Sequence, residues 1–169
     1  PYTLSTVACQ TPESIGPHVD GKGWFQLYAP RAIEVRKDTL KRVRDAGFRT
    51  LVVTLDVPVA SRRERQTRSG LTHPPALTPR LLAQIAMRPS WALGMARAGR
   101  PGMPLIASYT QPKIGLPTTA HIGYLIRTAP DWEYLHWIRE AWDGPLVVKG
   151  ILQVEEVAGL KAAGVDALW

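Results

Sequence analysis

Trp24-Phe25-Gln26-Leu27-Tyr28 and Thr50-Leu51-Val52-Val53-Thr54-Leu55-Asp56 decide how this chain folds. Both are short runs of apolar, aromatic and β-branched residues, the composition of a strand buried on both faces. Both also end on polar side chains, Gln26 and Tyr28 in the first, Thr54 and Asp56 in the second. Between them, Arg31 to Ala46 carries Ile33, Leu40 and Val43 as a helical stripe, although Val35-Arg36-Lys37 blurs its first turn. Gly47 is placed to close that helix in the left-handed conformation. Strand, helix, strand is the unit that builds a parallel sheet with helical crossovers.

The alternation extends outward in both directions. Ser5 closes a first strand, and Thr11 with Pro12 opens a helix as N-cap and first helical residue. Beyond a long intervening stretch, Asp131 is the expected cap of a helix with Trp132, Leu135, Ile138 and Trp142 on one face. Pro145-Leu146-Val147-Val148-Lys149 reads as another buried strand. Val154, Val157 and Leu160 mark a further helix closed by Gly164, and Asp166-Ala167-Leu168-Trp169 begins a last strand.

Two α/β architectures compete for this order, the open doubly wound sheet and the barrel. No Gly-x-Gly-x-x-Gly follows a strand, and no Gly-rich loop ends in Lys-Ser or Lys-Thr. Instead the strand ends carry Ser5, Gln26, Tyr28, Thr54, Asp56 and Lys149. Barrels gather their chemistry at the C-terminal ends of several strands around one mouth. The pattern therefore favours a partial (β/α)8 TIM barrel of about five βα units, with a long insert after the third strand.

Composition bounds the function. The 169 residues, 45% hydrophobic and 21% charged, suit one soluble domain with a sizeable core. No apolar run reaches the roughly 18 residues that span a bilayer. The first residues lack the basic and apolar regions of a signal peptide. Cys9, the single cysteine, has no partner for a disulfide or a metal site, so a reducing compartment and no metal are expected. It reads as a small, half-buried residue. The net charge of +7 is concentrated: between Ala60 and Thr128, ten basic side chains face one acid, Glu64. Such an excess suggests an anionic partner, either a phosphate ligand or an acidic lipid surface. Nucleic acid is set aside, because no nucleic-acid-binding motif accompanies the charge.

The strand-end groups suggest a chemistry. Ser5, Gln26 and Thr54 can hydrogen-bond the edge of a planar heterocycle. Lys149, ending an apolar strand, must meet an anion or lose its proton if buried. Arg63 offers a fork for a carboxylate, and Tyr28 could bond a substrate hydroxyl or carboxylate. The same residues are equally compatible with a structural ion pair at Lys149, polar caps at Gln26 and Thr54, and solvated arginines. Of the four histidines, His18, His73, His121 and His136, none lies at a predicted strand end.

Five motifs in order then narrow the choice: Phe25-Gln26-Leu27-Tyr28, Ala46-Gly47-Phe48, Val53-Thr54-Leu55-Asp56-Val57-Pro58, Arg62-Arg63-Glu64-Arg65 and Val147-Val148-Lys149-Gly150-Ile151. With these spacings the chain resembles the FMN-dependent α-hydroxy-acid dehydrogenases and oxidases. That family includes glycolate oxidase, lactate oxidase, flavocytochrome b2, and bacterial L-lactate and mandelate dehydrogenases. The resemblance covers essentially the whole chain. It implies FMN as cofactor and oxidation of an L-2-hydroxy acid to a 2-keto acid. Electrons would pass from the reduced flavin to a quinone or another acceptor.

Position by position, Ser5, Gln26 and Thr54 resemble flavin contacts. Lys149 resembles the lysine that stabilises the reduced flavin. Tyr28 and Arg63 resemble substrate-binding residues, and Asp56 matches a family aspartate near the site. The family's proton-abstracting histidine belongs to a Ser-Asn-His-Gly-Gly-Arg motif that would follow Trp169. The expectation is therefore the central part, residues 1–169, of one FMN-binding barrel domain, inactive alone. A non-catalytic flavin- or anion-binding fragment and an oxygen-using oxidase are the alternatives.

Within the insert, residues 71–128, Met87-Arg88-Pro89-Ser90-Trp91-Ala92-Leu93 and Arg97-Ala98-Gly99-Arg100-Pro101 resemble the membrane-associated dehydrogenases. Apolar Leu81, Leu82, Ile85 and Met95 among basic residues suit an anionic headgroup interface. Residues 71–119 are thus expected either to make peripheral membrane contact or to form a lid or oligomer contact. A homo-oligomer in the cytoplasm, or on the inner face of the cytoplasmic membrane, completes the expectation.

Overall fold

The computed structural model describes residues 2–57, 64–68, 78–99, 101–109 and 128–169. Five strands, β1 (Tyr2–Ser5), β2 (Gly23–Tyr28), β3 (Thr50–Thr54), β4 (Leu146–Lys149) and β5 (Ala167–Leu168), form one sheet. Their spatial order is β1-β2-β3-β4-β5 and every pair is parallel. A doubly wound sheet reverses its order at a switch point. Here the order never reverses. Right-handed crossovers, the rule for parallel strands, put the helices that connect such an order on one face, which is how a barrel wall is wound.

Four helices serve that frame: α1 (Pro12–Val19), α2 (Ile33–Asp45), α7 (Trp132–Ala141) and α8 (Glu156–Ala162). Thr11 and Asp131 cap α1 and α7 as expected, accepting from the amides of Ser14 and Tyr134. Gly47 and Gly164 sit at φ 87° and 82°, where a side chain would be strained, and they follow α2 and α8. Between β3 and β4 lie α3 (Glu64–Arg68), α4 (Pro79–Ala86), α5 (Pro89–Ala98) and α6 (Pro104–Ala107).

Alternate strand residues form the core. Leu4, Phe25, Leu27, Leu51, Val53, Leu146 and Val148 pack with Leu40, Val43, Leu135, Ile138 and Leu160 from the helices. The other strand positions, Ser5, Gln26, Tyr28, Thr54 and Lys149, therefore share the opposite, inner face. Each buried leucine or phenylalanine contributes about 1.5–3 kcal/mol, so this two-faced alternation fixes the register.

Several sequence expectations are corrected. Ile33, Trp132, Val154 and Val157 are exposed, with Val154 80% exposed and placed before α8 begins, so the packing faces are carried by Leu40 and Val43 on α2, Leu135 and Ile138 on α7, and Leu160 on α8. Tyr134 is buried on α7, which the expected stripe omitted. Cys9 is exposed because it lies in the turn after β1, before α1 begins. The insert also holds more helix than the sequence reading anticipated. Helices α4 and α5 have no buried residue. The end of the insert docks instead, through Leu105 and Ile106, which are buried. Tyr109 fastens that end to α2: its hydroxyl donates to Asp38, and Arg42 donates to it.

Candidate functional site

The C-terminal ends of β1, β2 and β3 hold a continuous polar chain. Ser5 Oγ donates to Gln26 Oε1 at 2.6 Å, and Gln26 Nε2 donates to Thr54 Oγ1 at 2.8 Å. Parallel register explains the meeting. Ser5 lies opposite Gln26, and Thr54 lies opposite Tyr28, two residues beyond Gln26 on the same face. Gln26 is 9% exposed and Thr54 5% exposed. Burying such groups is costly unless they are paired, and these are paired with one another. The pairing leaves one Gln26 amide proton and the Thr54 hydroxyl proton available to a ligand. Both are donors, suited to the acceptor-rich edge of a heterocycle.

Lys149 ends β4 directly opposite Thr54. Its Nζ lies 3.2 Å from Asp56 Oδ2, with both side chains about one-third exposed. Lys149 is therefore only partly buried and does meet an anion, the ion pair that the sequence left open beside a ligand role. The reach of Asp56 is local: β3 ends at Thr54, and the chain bends so that Leu55 N still bonds Lys149 O. Gly150, at φ 98°, makes room for it, since a Cβ there would meet the Asp56 side chain at 2.6 Å.

Tyr28 shares the layer of Thr54 and Lys149. Its amide donates to Thr6 Oγ1 at 3.1 Å. Thus Ser5, Gln26, Thr54 and Lys149 converge on one end of one sheet face, with Tyr28 beside them. Arg63 lies outside the described residues, as do His73 and His121. His18 and His136 are exposed on α1 and α7, away from the strand ends. No cluster of metal-binding side chains occurs among the described residues.

Asp56, which the sequence marks only as a strand-end residue and a family match near the site, gains its role from Lys149, a partner distant in sequence. Thr6 was passed over because it follows the strand's last residue. A groove of about 450 Å³ lies elsewhere, between α1 and α2, lined by Glu13, Gly16, Arg42 and Asp45. Arg42 there is already paired with Glu13 at 2.6 Å, which holds the Glu13 carboxyl down at about 2.

The family profile described as FMN-dependent dehydrogenase matches residues 1–169. The chain is 37% identical over 172 aligned residues to an L-lactate dehydrogenase of Pseudomonas aeruginosa, covering 99% of this chain and 44% of that protein. It is 38% identical to an L-lactate dehydrogenase of Acinetobacter baylyi over 170 residues, with the same coverage. The crystal structure of a monotopic membrane protein, (S)-mandelate dehydrogenase, superposes with a TM-score of 0.86 at 27% identity, covering 98% of this chain and 44% of that one. A mandelate oxidase structure gives 0.69 at 28% identity, covering 99% of this chain and 39% of that one. The chain thus spans less than half the length of these relatives. The matched fold is the FMN-dependent α/β barrel, of which the five strands are an arc. The chain belongs to the family of FMN-dependent dehydrogenases.

Proposed function

We propose that the protein containing this chain oxidises an L-2-hydroxy acid of the lactate class to its 2-keto acid, with FMN seated at the mouth of the sheet. The observation that carries this reading is the Ser5–Gln26–Thr54 chain opening beside Lys149 on one face. FMN, when bound, would supply a two-electron acceptor for conversion of the C2 alcohol to a ketone. The donors left over on Gln26 and Thr54 orient the ring, and Ser5 keeps the Gln26 amide from rotating. Lys149 supplies fixed positive charge where negative charge develops on the ring, the arrangement that lowers a barrier most when preorganised. Asp56 holds the Lys149 Nζ in place. Tyr28 offers its hydroxyl to the substrate, and Arg63 offers a bidentate fork for the carboxylate.

A quinone at a membrane surface is the acceptor proposed for the electrons. Leu82 on α4, Met87 in the link between the helices, and Trp91 and Leu93 on α5 are half or more exposed, among Arg80, Arg88 and Arg97. Apolar side chains beside cations suit the headgroup region of an anionic bilayer. No described helix is long and apolar enough to cross a membrane. Peripheral attachment to the inner face of the cytoplasmic membrane, and assembly as a homo-oligomer, belong to the same proposal. Light scattering of the purified protein tests the assembly.

The test of the function is anaerobic addition of L-lactate to the purified full-length protein. Bleaching of the flavin absorbance, reversed by a quinone but not rapidly by oxygen, is the expected result. Rapid reversal by oxygen would make the protein an oxidase. Flavin that no 2-hydroxy acid bleaches would make it a binder without turnover.

A further inference from the structure

We infer that Thr6 is a positioning residue of this site, acting through Tyr28; the inference rests on the reading of the mouth just given. Thr6 is 1% exposed, and the described chain buries only three other polar residues: Gln26, Thr39 and Thr54. Two of those belong to the site. The Thr6 hydroxyl is used twice: Oγ1 donates to Gln26 O at 2.6 Å and accepts from Tyr28 N at 3.1 Å.

The backbone explains why a hydroxyl is needed there. The β1–β2 register runs to Ser5 opposite Gln26, and Thr6 N still donates to Gln26 O at 2.9 Å. The next rung of a parallel ladder would send Tyr28 N to the Thr6 carbonyl. Instead the chain turns after Ser5, with Ala8 N bonded to Ser5 O, and that rung is lost. The side chain of Thr6 takes its place. The amide of Tyr28 is therefore held by one hydroxyl, at the point where the tyrosine leaves the sheet.

Ser5 and Thr6 thus divide the work. Ser5 fixes the Gln26 side chain, and Thr6 fixes the Gln26 carbonyl and the Tyr28 amide. Such a site needs its contacts held within about 0.5 Å. Only a group that donates and accepts at once fills the role of Thr6. Serine qualifies, whereas valine, of nearly the same shape, does neither.

The experiment compares Thr6→Val, Thr6→Ser and Tyr28→Phe in the full-length, FMN-loaded protein. Oxalate, a non-reacting anion of substrate shape, is titrated and its binding read from the flavin absorbance. KM, kcat and flavin content are measured alongside. Thr6→Val is expected to weaken oxalate and raise KM about tenfold, with the flavin retained. Thr6→Ser restores both. In the Tyr28→Phe background, Thr6→Val adds little, because both act on the same contact. Should Thr6→Val not fold, Thr6→Ala serves as the hydroxyl-free variant. A normal oxalate affinity in the hydroxyl-free variant, or an equal loss in Thr6→Ser, overturns the inference while leaving the reading of Tyr28 intact. A Tyr28→Phe variant that binds and turns over normally overturns that reading, and the inference with it.

Discussion

The strand ends and the α4–α5 hairpin come from one chain and spend their side chains in opposite ways. At the strand ends, Gln26 and Thr54 are polar and buried, and they are satisfied by each other and by Ser5. On the hairpin, Leu82, Met87, Trp91 and Leu93 are apolar and exposed, and neither helix buries a residue. Folding stability explains neither choice. An apolar core would hold the sheet without the first, and a polar helix would stay in solution without the second. Under the function proposed above, both departures from ordinary patterning are accounted for by what binds there, a flavin at the first and a lipid surface at the second.

The contrast can first be broken by truncation. Phe25 has no exposure, and Phe25→Ala should cost about 3–5 kcal/mol in urea unfolding. Trp91→Ala, at 53% exposure, should change stability by no more than about 0.5 kcal/mol. Equal losses would mean that the hairpin packs on the barrel as a structural element.

Next comes the charge at the mouth. Lys149→Met removes the cation while nearly keeping side-chain length. Flavin reduction followed by stopped flow should slow about 10²–10³-fold, the loss typical of one preorganised electrostatic group. Wild-type reduction rates would reduce the Lys149–Asp56 pair to a structural contact.

A third change sharpens the other side. Met87→Glu with Trp91→Glu should release the protein from anionic vesicles while turnover with a soluble dye acceptor persists. Each exchange removes about 1.5–3 kcal/mol of apolar burial and adds repulsion from the lipid. Undiminished pelleting of the double variant would reject the membrane reading, as would a wild-type protein that stays off such vesicles at low salt.

The smallest expected effect belongs to neither region and serves as a control. Arg42 holds the Glu13 carboxyl at about 2, below the ordinary 4.5. A depressed carboxyl stabilises the fold above its unfolded value, and that contribution is lost as pH falls from about 4.5 toward 2. Glu13 is nearly half exposed, so solvent reduces the effect to about 1 kcal/mol. Glu13→Gln should lower stability by that amount at neutral pH and by progressively less as pH falls through about 2. A difference independent of pH would contradict the ion pair as its source.

How much of this was legible in the sequence follows from what each feature depends on. The strands were legible because burial on both faces demands unbroken apolar runs, as in Leu51-Val52-Val53. Caps at Thr11 and Asp131 were legible because capping is local. Helix α4 was equally legible, since Thr78-Pro79 repeats the Thr11-Pro12 signature and Thr78 accepts from Leu81 N. It was missed because no core face accompanies it. The register was not legible, and with it went the pairing of Gln26 with Thr54 across 28 residues and of Lys149 with Asp56 across 93. The site residues were identified by their position at strand ends and by family resemblance. Their mutual hydrogen bonds, and the part played by Thr6, appear only when the strands are set side by side.

FMN held by the polar strand ends is the central proposal for this protein. The most direct test is the flavin content of the purified full-length protein, compared with that of Gln26→Leu and Thr54→Val combined. These substitutions remove the ring-facing donors and leave the helical face of the sheet untouched. Stoichiometric flavin in the wild type, with little or none in a folded double variant, is the predicted result. A double variant that folds and carries as much flavin as the wild type would contradict it.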